Sequence, residues 1–382
     1  MIKIALISGD NHLRLHTWAK HPELAGDAFY SLTQLVDACV HQSLPLILLG
    51  DMYDQDRPDS ASVTAFTTEM NRMEHARLSV YFIQGNHDKA DPPWCSAHPW
   101  PCHVNEQMFE VNGVEFYGLD YCPSDKLGEK LAVIPPDAEI LLSHQSWSEV
   151  QPIGHTDGSL SQLPRELTVF SGDFHVTKQY AGVAANGDPV TLYSPGSTSM
   201  QAIDEPPHKY FYILEVDEAK DQFIAKRVQL ATRGYTEFTV TTEEAFAECL
   251  RKLALPVDQR HDLPPHIAKP MLRATYYDMI PEAYTRLIAA LGDKFHLFHQ
   301  PRNLGNEETV EVDMVNTPEG AFDNLLTAVG ELVPTDSPVY HGVQRLLAAP
   351  DPLAEITNMF EEYKANYARP QHGEDPSGVS AG

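Results

Sequence analysis

The chain has 382 residues, 42% of them hydrophobic, and a formal charge of −27. That apolar content fills a sizeable core and excludes a disordered chain, while the length suits two or three domains. The acidity excludes a broadly basic nucleic-acid surface, which needs clustered Lys and Arg, yet it supplies the carboxylates that hard divalent cations bind.

Ile2 to Ile7 opens the chain as an apolar run of strand length, too short for a signal peptide. Ala28 to Val40 reads as a helix, Pro45 to Leu49 as a strand and Ser60 to Ala76 as a second helix. On that second helix Val63, Phe66, Met70 and Met73 share one face, which suits either the core or a dimer contact. Val80 to Ile83, Ile140 to Leu142 and Val169 to Phe170 are further buried-strand runs, so the first 230 or so residues have the alternation of an α/β enzyme.

Past Arg233 the texture changes. Thr241-Thr-Glu-Glu244 offers a capping box before a helix, and Lys269 to Tyr277 reads as a strand. A helix over Pro281 to Leu291 is closed by Gly292, a strand follows at Phe295 to Phe298, and Thr317-Pro318 opens another helix. These spans predict a larger α/β unit over 1–232, a smaller α/β unit over 233–334, a helix pair over 335–368 and a disordered tail over 369–382. In the helix pair, Leu353, Ile356, Phe360, Tyr363 and Tyr367 form one apolar stripe, suited to folding back or to a partner's groove.

Five cysteines, Cys39, Cys95, Cys102, Cys122 and Cys249, form no Cys-x-x-Cys pair, so neither a disulfide framework nor a thiolate zinc knuckle is expected. A reducing, cytoplasmic setting fits that usage. No stretch reaches transmembrane length, and no membrane partner is expected.

The chemistry lies where the strands end. Gly9-Asp-Asn-His12, Gly50-Asp-Met-Tyr-Asp54, Gly85-Asn-His-Asp88, Ser143-His-Gln145 and Gly172-Asp-Phe-His175 each follow an apolar run, in order. One Asp-x-His after a strand is an ordinary cap or turn; five in register are not. Their oxygen and imidazole donors together suit two divalent ions of the kind that clamp a phosphoryl group.

In that order the motifs resemble the calcineurin-like binuclear metallophosphoesterases. Gly50-Asp-Met-Tyr-Asp-Gln-Asp-Arg-Pro58, Leu142-Ser-His-Gln145 and Tyr193-Ser-Pro-Gly-Ser-Thr-Ser199 are similar to the SbcD-like double-strand-break repair nucleases within that superfamily. The resemblance implies a four-layer α-β-β-α sandwich, a smaller α/β capping domain over 233–334 and a C-terminal helix pair that docks on an SbcC-like coiled-coil ATPase. It further implies a homodimer acting on DNA as a metal-dependent exonuclease and endonuclease. Two ions are expected, Mn²⁺ first and Mg²⁺ second. Asp10, His12, Asp51 and His175 would hold one, and Asp51, Asn86, His144 and Asp173 the other, with Asp51 bridging.

The family's usual Gly-His-x-His becomes Gly172-Asp-Phe-His175 here, so Asp173 either replaces an imidazole ligand or stands behind one. A carboxylate there hardens the site toward Mn²⁺ or Mg²⁺. His87 is expected as proton donor or charge stabiliser, with Asp54 orienting it. Arg14, Arg57 and Lys89 are candidate phosphate contacts, with solvated surface charge as the equal alternative. Two other readings stand beside the nuclease: a small-molecule or cyclic-nucleotide phosphodiesterase, which suits the acidity better, and a non-catalytic scaffold on the same fold.

Overall fold

A computed structural model describes residues 1–18, 21–150, 156–217, 222–255, 263–277 and 279–302, with His341, Gly342, Arg345, Asn358 and Met359. The chain divides into two compact units, Met1–Arg302 and Asn303–Gly382. Most of the expected helix pair, the helix expected at Thr317-Pro318 and the whole tail over 369–382 lie outside the described residues.

The first unit begins with β1 (Ile2–Ser8), α1 (Asp27–Gln42), β2 (Leu46–Leu49), α2 (Ser60–Ala76), β3 (Val80–Ile83), β4 (Cys102–His103), β5 (Gln107–Val111) and β6 (Val114–Leu119). It continues with α3 (Ser124–Ala132), β7 (Ile140–His144), β8 (Thr168–Gly172), β9 (Lys178–Val183), β10 (Pro189–Ser194), β11 (Tyr210–Asp217) and β12 (Gln222–Gln229). These strands make two six-stranded sheets, ordered β12-β11-β1-β2-β3-β4 and β5-β6-β7-β8-β10-β9. The central strands β1, β2 and β3 pair in parallel, as do β6, β7, β8 and β10.

Parallel strands covered on both faces are apolar throughout, and β2 is buried at all four of its residues. Ile7, Ile47, Leu49 and Ile83 of one sheet meet Phe116, Ile140, Leu142 and Phe170 of the other in a shared interior. Leu6, Leu46, Leu48 and Phe82 turn the opposite way, onto Leu32, Leu35, Phe66 and Met70 of the two helices. Leu127 and Leu131 of α3 cover the far face of the second sheet, against Leu141, Val169 and Leu192. The result is a four-layer α-β-β-α sandwich.

The α2 stripe resolves as core: Phe66, Met70 and Met73 are buried, so that face carries no argument for a dimer. The helix starts where Asp59 Oδ1 accepts the Ser62 N–H at 2.9 Å.

The sheet β13 (Tyr235–Val240), β14 (Met271–Tyr277), β15 (His296–Arg302) is parallel throughout, with α4 (Glu243–Leu253) and α6 (Ala283–Leu291) packed on it, and a short α5 (Pro265–Ala268) precedes β14. Two local expectations shift. Thr242 rather than Thr241 caps α4, its hydroxyl accepting from the Ala245 N–H, so the reciprocal Glu of a capping box is lacking. Gly292 ends α6 in right-handed geometry at φ −61, not as a left-handed cap. Arg233 ties this sheet to the sandwich. Its guanidinium grips both Asp27 carboxylate oxygens at 2.9 and 3.0 Å and donates to the Lys269 and His266 carbonyls.

Candidate metal centre

The C-terminal ends of β1, β2, β3, β7 and β8 bring the five motifs to one place. Backbone bonds lace their loops together: the His12 N–H donates to the Asp51 carbonyl at 2.8 Å, and the Asp173 N–H to Asp10 Oδ1 at 2.9 Å. His12, Asp51 and Asp173 all sit at left-handed φ, 46, 47 and 79, a concentration of backbone strain typical of sites whose surroundings fix them. The turn between β2 and Asp51 demands Gly50, at φ 85, where a Cβ would fall 2.6 Å from His144 Nδ1.

His144 indicates what the site suits. It is fully buried, and its Nδ1–H donates to the Leu49 carbonyl at 2.6 Å. The neutral ring therefore presents a bare lone pair at Nε2, yet that nitrogen faces acceptor oxygens: Asn86 Oδ1 at 3.0 Å, Asp51 Oδ2 at 3.4 Å, and Asp10 Oδ1 and Asp173 Oδ1 at 3.9 Å. Such a cage needs a positive charge inside it. Burial alone would lower the His144 pKa, but the Asp51, Asp10 and Asp173 carboxylates hold it well above the ordinary value, the response of a proton standing where a cation fits.

A second nitrogen-rich pocket adjoins it. His12 Nε2 and His175 Nε2 face each other at 3.1 Å, and His12 Nε2 lies 3.7 Å from Asp51 Oδ2. Asp10, His12 and His175 form one compact donor triad, and Asp10, Asp51 and His144 another. Asp10 Oδ2 is buried with no hydrogen-bond partner, an orphaned acceptor that a bound cation would satisfy. Asp51 Oδ2 stands between the imidazoles of the two pockets. Burial pushes the Asp51 carboxyl up, but His144, His12 and the His87 N–H outweigh it and keep the group ionised. The donors, all oxygen and imidazole nitrogen, suit two divalent ions.

Asp173 is brought to the rim of this cluster rather than its centre, its side chain 24% exposed. Burial, with Asp10, Asp157 and Asp51 nearby, raises its pKa against the opposing pull of His144. Asp88, which closes the Asn86-His87 loop, accepts the N–H groups of Gly85 at 2.9 Å and Met52 at 2.7 Å and so locks one ligand loop to the next. Burial and the Asp51 charge lift it to about 6.

His87 is exposed above the pocket, its ring edge-on to His12 at 5.1 Å. The expected partnership with Asp54 takes a different form. His87 Nδ1 bonds the Asp54 main-chain carbonyl at 3.1 Å, whereas the Asp54 carboxylate pairs with Arg14 at 2.8 Å and lies 3.4 Å from His12 Nδ1. Arg14 is therefore an ion-pair partner at the site edge. Arg57 is exposed, and Lys89 is exposed with its ammonium 6.0 Å from the Tyr121 ring centroid.

Sequence reasoning missed Glu205 and Lys209. Glu205 Oε1 lies 2.7 Å from His175 Nδ1, and the buried Lys209 pairs with Glu205 at 2.6 Å. Neither residue stands in a strand-end motif, and only folding carries them back to His175. Among the described residues, no helix is long and apolar enough to cross a membrane.

Residues 3–177 match the model of the calcineurin-like phosphoesterase family. The chain is 25% identical over 175 residues to the DNA double-strand break repair protein Mre11 of Sulfurisphaera tokodaii, a match covering 40% of this chain and 44% of that protein. It is 24% identical over 241 residues to the protein of the same name from Haloferax volcanii, covering 60% and 52%. It is also 25% identical over 240 residues to the uncharacterized metallophosphoesterase YhaO of Bacillus subtilis, covering 54% and 53%. The chain spans about half the length of these curated relatives. The matched segment runs from β1 to just past His175 and so contains every one of the gathered strand-end motifs; over these residues the chain is similar to the calcineurin-like phosphoesterases.

Proposed function

We propose that this protein is a metal-dependent nuclease that hydrolyses DNA phosphodiester bonds, the SbcD-like subunit of a DNA end-processing complex. The observation that carries the chemistry is the cage of oxygen acceptors around His144 Nε2 beside the facing His12 and His175 nitrogens. The DNA substrate is supported by the resemblance of the motifs and by the two relatives named for double-strand-break repair.

Asp10, His12, Asp51 and His175 would hold one ion and Asp51, Asn86, His144 and Asp173 the other, with Mn²⁺ the best fit to this oxygen-rich set. When bound, such ions supply Lewis-acid stabilisation of the phosphoryl oxygens. Asp51 keeps both pockets anionic, and Asp88 fixes the spacing of their loops. His87, with Nδ1 tied to the Asp54 carbonyl, presents Nε2 toward solvent, where it carries a proton to the departing oxygen. The sheet from Tyr235 onward serves as the capping domain that positions DNA, and the segment over 335–368 as the docking site for a coiled-coil ATPase. A homodimer in the cytoplasm completes this reading.

A second reading has one observation in its favour: the charge of −27 opposes a polyanionic substrate and suits a small phosphodiester. One assay separates the two. With Mn²⁺, the full chain should cleave an end-labelled duplex as well as bis-p-nitrophenyl phosphate. Turnover of cyclic nucleotides or of the small ester with no cleavage of duplex would replace the nuclease reading with the second one.

A further inference from the structure

We infer that Glu205, braced by Lys209 and Ser197, is a positioning residue that fixes the tautomer of His175 and aims its Nε2 lone pair into the metal centre. This rests on the metal-centre reading above.

The two oxygens of the Glu205 carboxylate are used very differently. Oε2 is saturated by three donors: Lys209 Nζ at 2.6 Å, the Gln201 N–H at 3.1 Å and Ser197 Oγ at 3.2 Å. Oε1 takes His175 Nδ1 at 2.7 Å. A carboxylate clamped on one side has little freedom to turn, so its other oxygen points at the imidazole by construction. Ser197 completes the brace, since its hydroxyl accepts from Lys209 at 2.7 Å while donating to Glu205.

The Lys209 side chain is only 1% exposed, and a buried ammonium persists only when paired. Lys209 therefore offsets the charge of Glu205 at a site that already gathers Asp10, Asp51 and Asp173, and lets a further carboxylate stand there. In the neutral ring a carboxylate at Nδ1 makes that nitrogen the donor and leaves the lone pair on Nε2. His175 Nε2 is the atom that faces His12 Nε2 and closes the triad with Asp10. Carboxylate partners of this kind orient ligand imidazoles and typically change metal affinity 10–100-fold when removed. Were the pair only a stitch between the loop and β11, its contact with His175 would have no consequence for that ring.

The experiment reads the tautomer in the metal-free full chain, so it does not depend on activity. Long-range ¹H–¹⁵N correlation spectra with ¹⁵N-labelled histidine, assigned by comparison with His175→Gln, should show the wild-type His175 proton on Nδ1. Replacing the ion pair with apolar side chains, Glu205→Leu with Lys209→Met, should release that preference and weaken Mn²⁺ binding by about 10–100-fold in calorimetry. Glu205→Gln with Lys209→Met keeps a neutral acceptor beside Nδ1 and should restore both. A wild-type ring protonated on Nε2 overturns the inference even if the apolar variant fails to fold. Unchanged tautomer and affinity in the apolar variant also overturn it. Wild type that binds no Mn²⁺ yet shows the Nδ1 tautomer would sink the metal reading and leave the positioning contact standing.

Discussion

Gly85→Ala is a single-atom test of how tightly the site is built. A Cβ at this position would fall 2.0 Å from Asp51 Oδ1 and 2.5 Å from the Asp51 amide nitrogen, both atoms at the heart of the cluster. Ordinary contact is near 3.5 Å, so the Asp51 loop or the Asn86-His87 loop must move by about 1.5 Å. The His87 N–H bond to Asp51 Oδ1, 2.9 Å long, cannot survive that shift unchanged. Displacement of about 1 Å at a catalytic group costs about 10²-fold in rate, which corresponds to roughly 2.7 kcal/mol on the barrier. Steady-state kcat/KM on bis-p-nitrophenyl phosphate with Mn²⁺ should fall by at least that factor, with thermal unfolding showing a folded protein. Gly113→Ala is the matched control. It sits at φ 85 with nothing within 4 Å of its Cβ, so it carries backbone strain but should leave kcat/KM intact. An undiminished kcat/KM and full metal content in Gly85→Ala would refute the reasoning, because the two ligand loops would then not be packed as described.

His87→Gln should keep metal content in calorimetry while lowering kcat by about 10²- to 10⁴-fold; loss of metal would make His87 a ligand instead. Gly128→Ala, inside α3 where the nearest atom to the new Cβ is 4.0 Å away, should stabilise the fold by about 0.5–1 kcal/mol in urea unfolding, and a lower midpoint would contradict the helical backbone there. His296 supplies a pH prediction. Burial, with the Arg233 and Lys269 charges, lowers its pKa from 6.5 to about 4. Below pH 6.5 the unfolded chain takes up a proton that the folded chain refuses, so this group erodes stability as pH falls from 6.5 to about 4 and contributes nothing above. His296→Gln should therefore gain on wild type in urea midpoint across that window, and a constant difference would show that the ring is not held neutral.

The motifs were legible because buried parallel strands are written as short apolar runs that end where the chain must turn polar. Asp10, Asp51, Asn86, His144 and His175 announce themselves by that position. Helix α2 was legible to its ends for a similar reason, since Asp59 caps it and apolar residues recur on one face. The stretch from Gln84 to Glu139 hid β4 and β5, short edge strands that mix exposed and buried residues without a clean period. Glu205 and Lys209 were invisible because their meaning depends on long-range partners, Lys209 with Ser197 and Glu205 with His175, that no local pattern encodes. Asp54 does meet His87, through its main-chain carbonyl at 3.1 Å, with its carboxylate within 4.8 Å of a ring nitrogen. The two residues stand 33 apart in sequence, and nothing local says which Asp54 oxygen will reach the ring.

The binuclear centre itself is tested most directly by isothermal calorimetry of Mn²⁺ into the metal-free full chain, wild type beside Asp51→Asn. Asp51 Oδ2 faces imidazoles of both pockets, so one substitution acts on both. Two Mn²⁺ per wild-type chain and weakened binding at both sites in the folded variant are expected. A single ion in wild type, or two ions bound undiminished by Asp51→Asn, would contradict the shared centre.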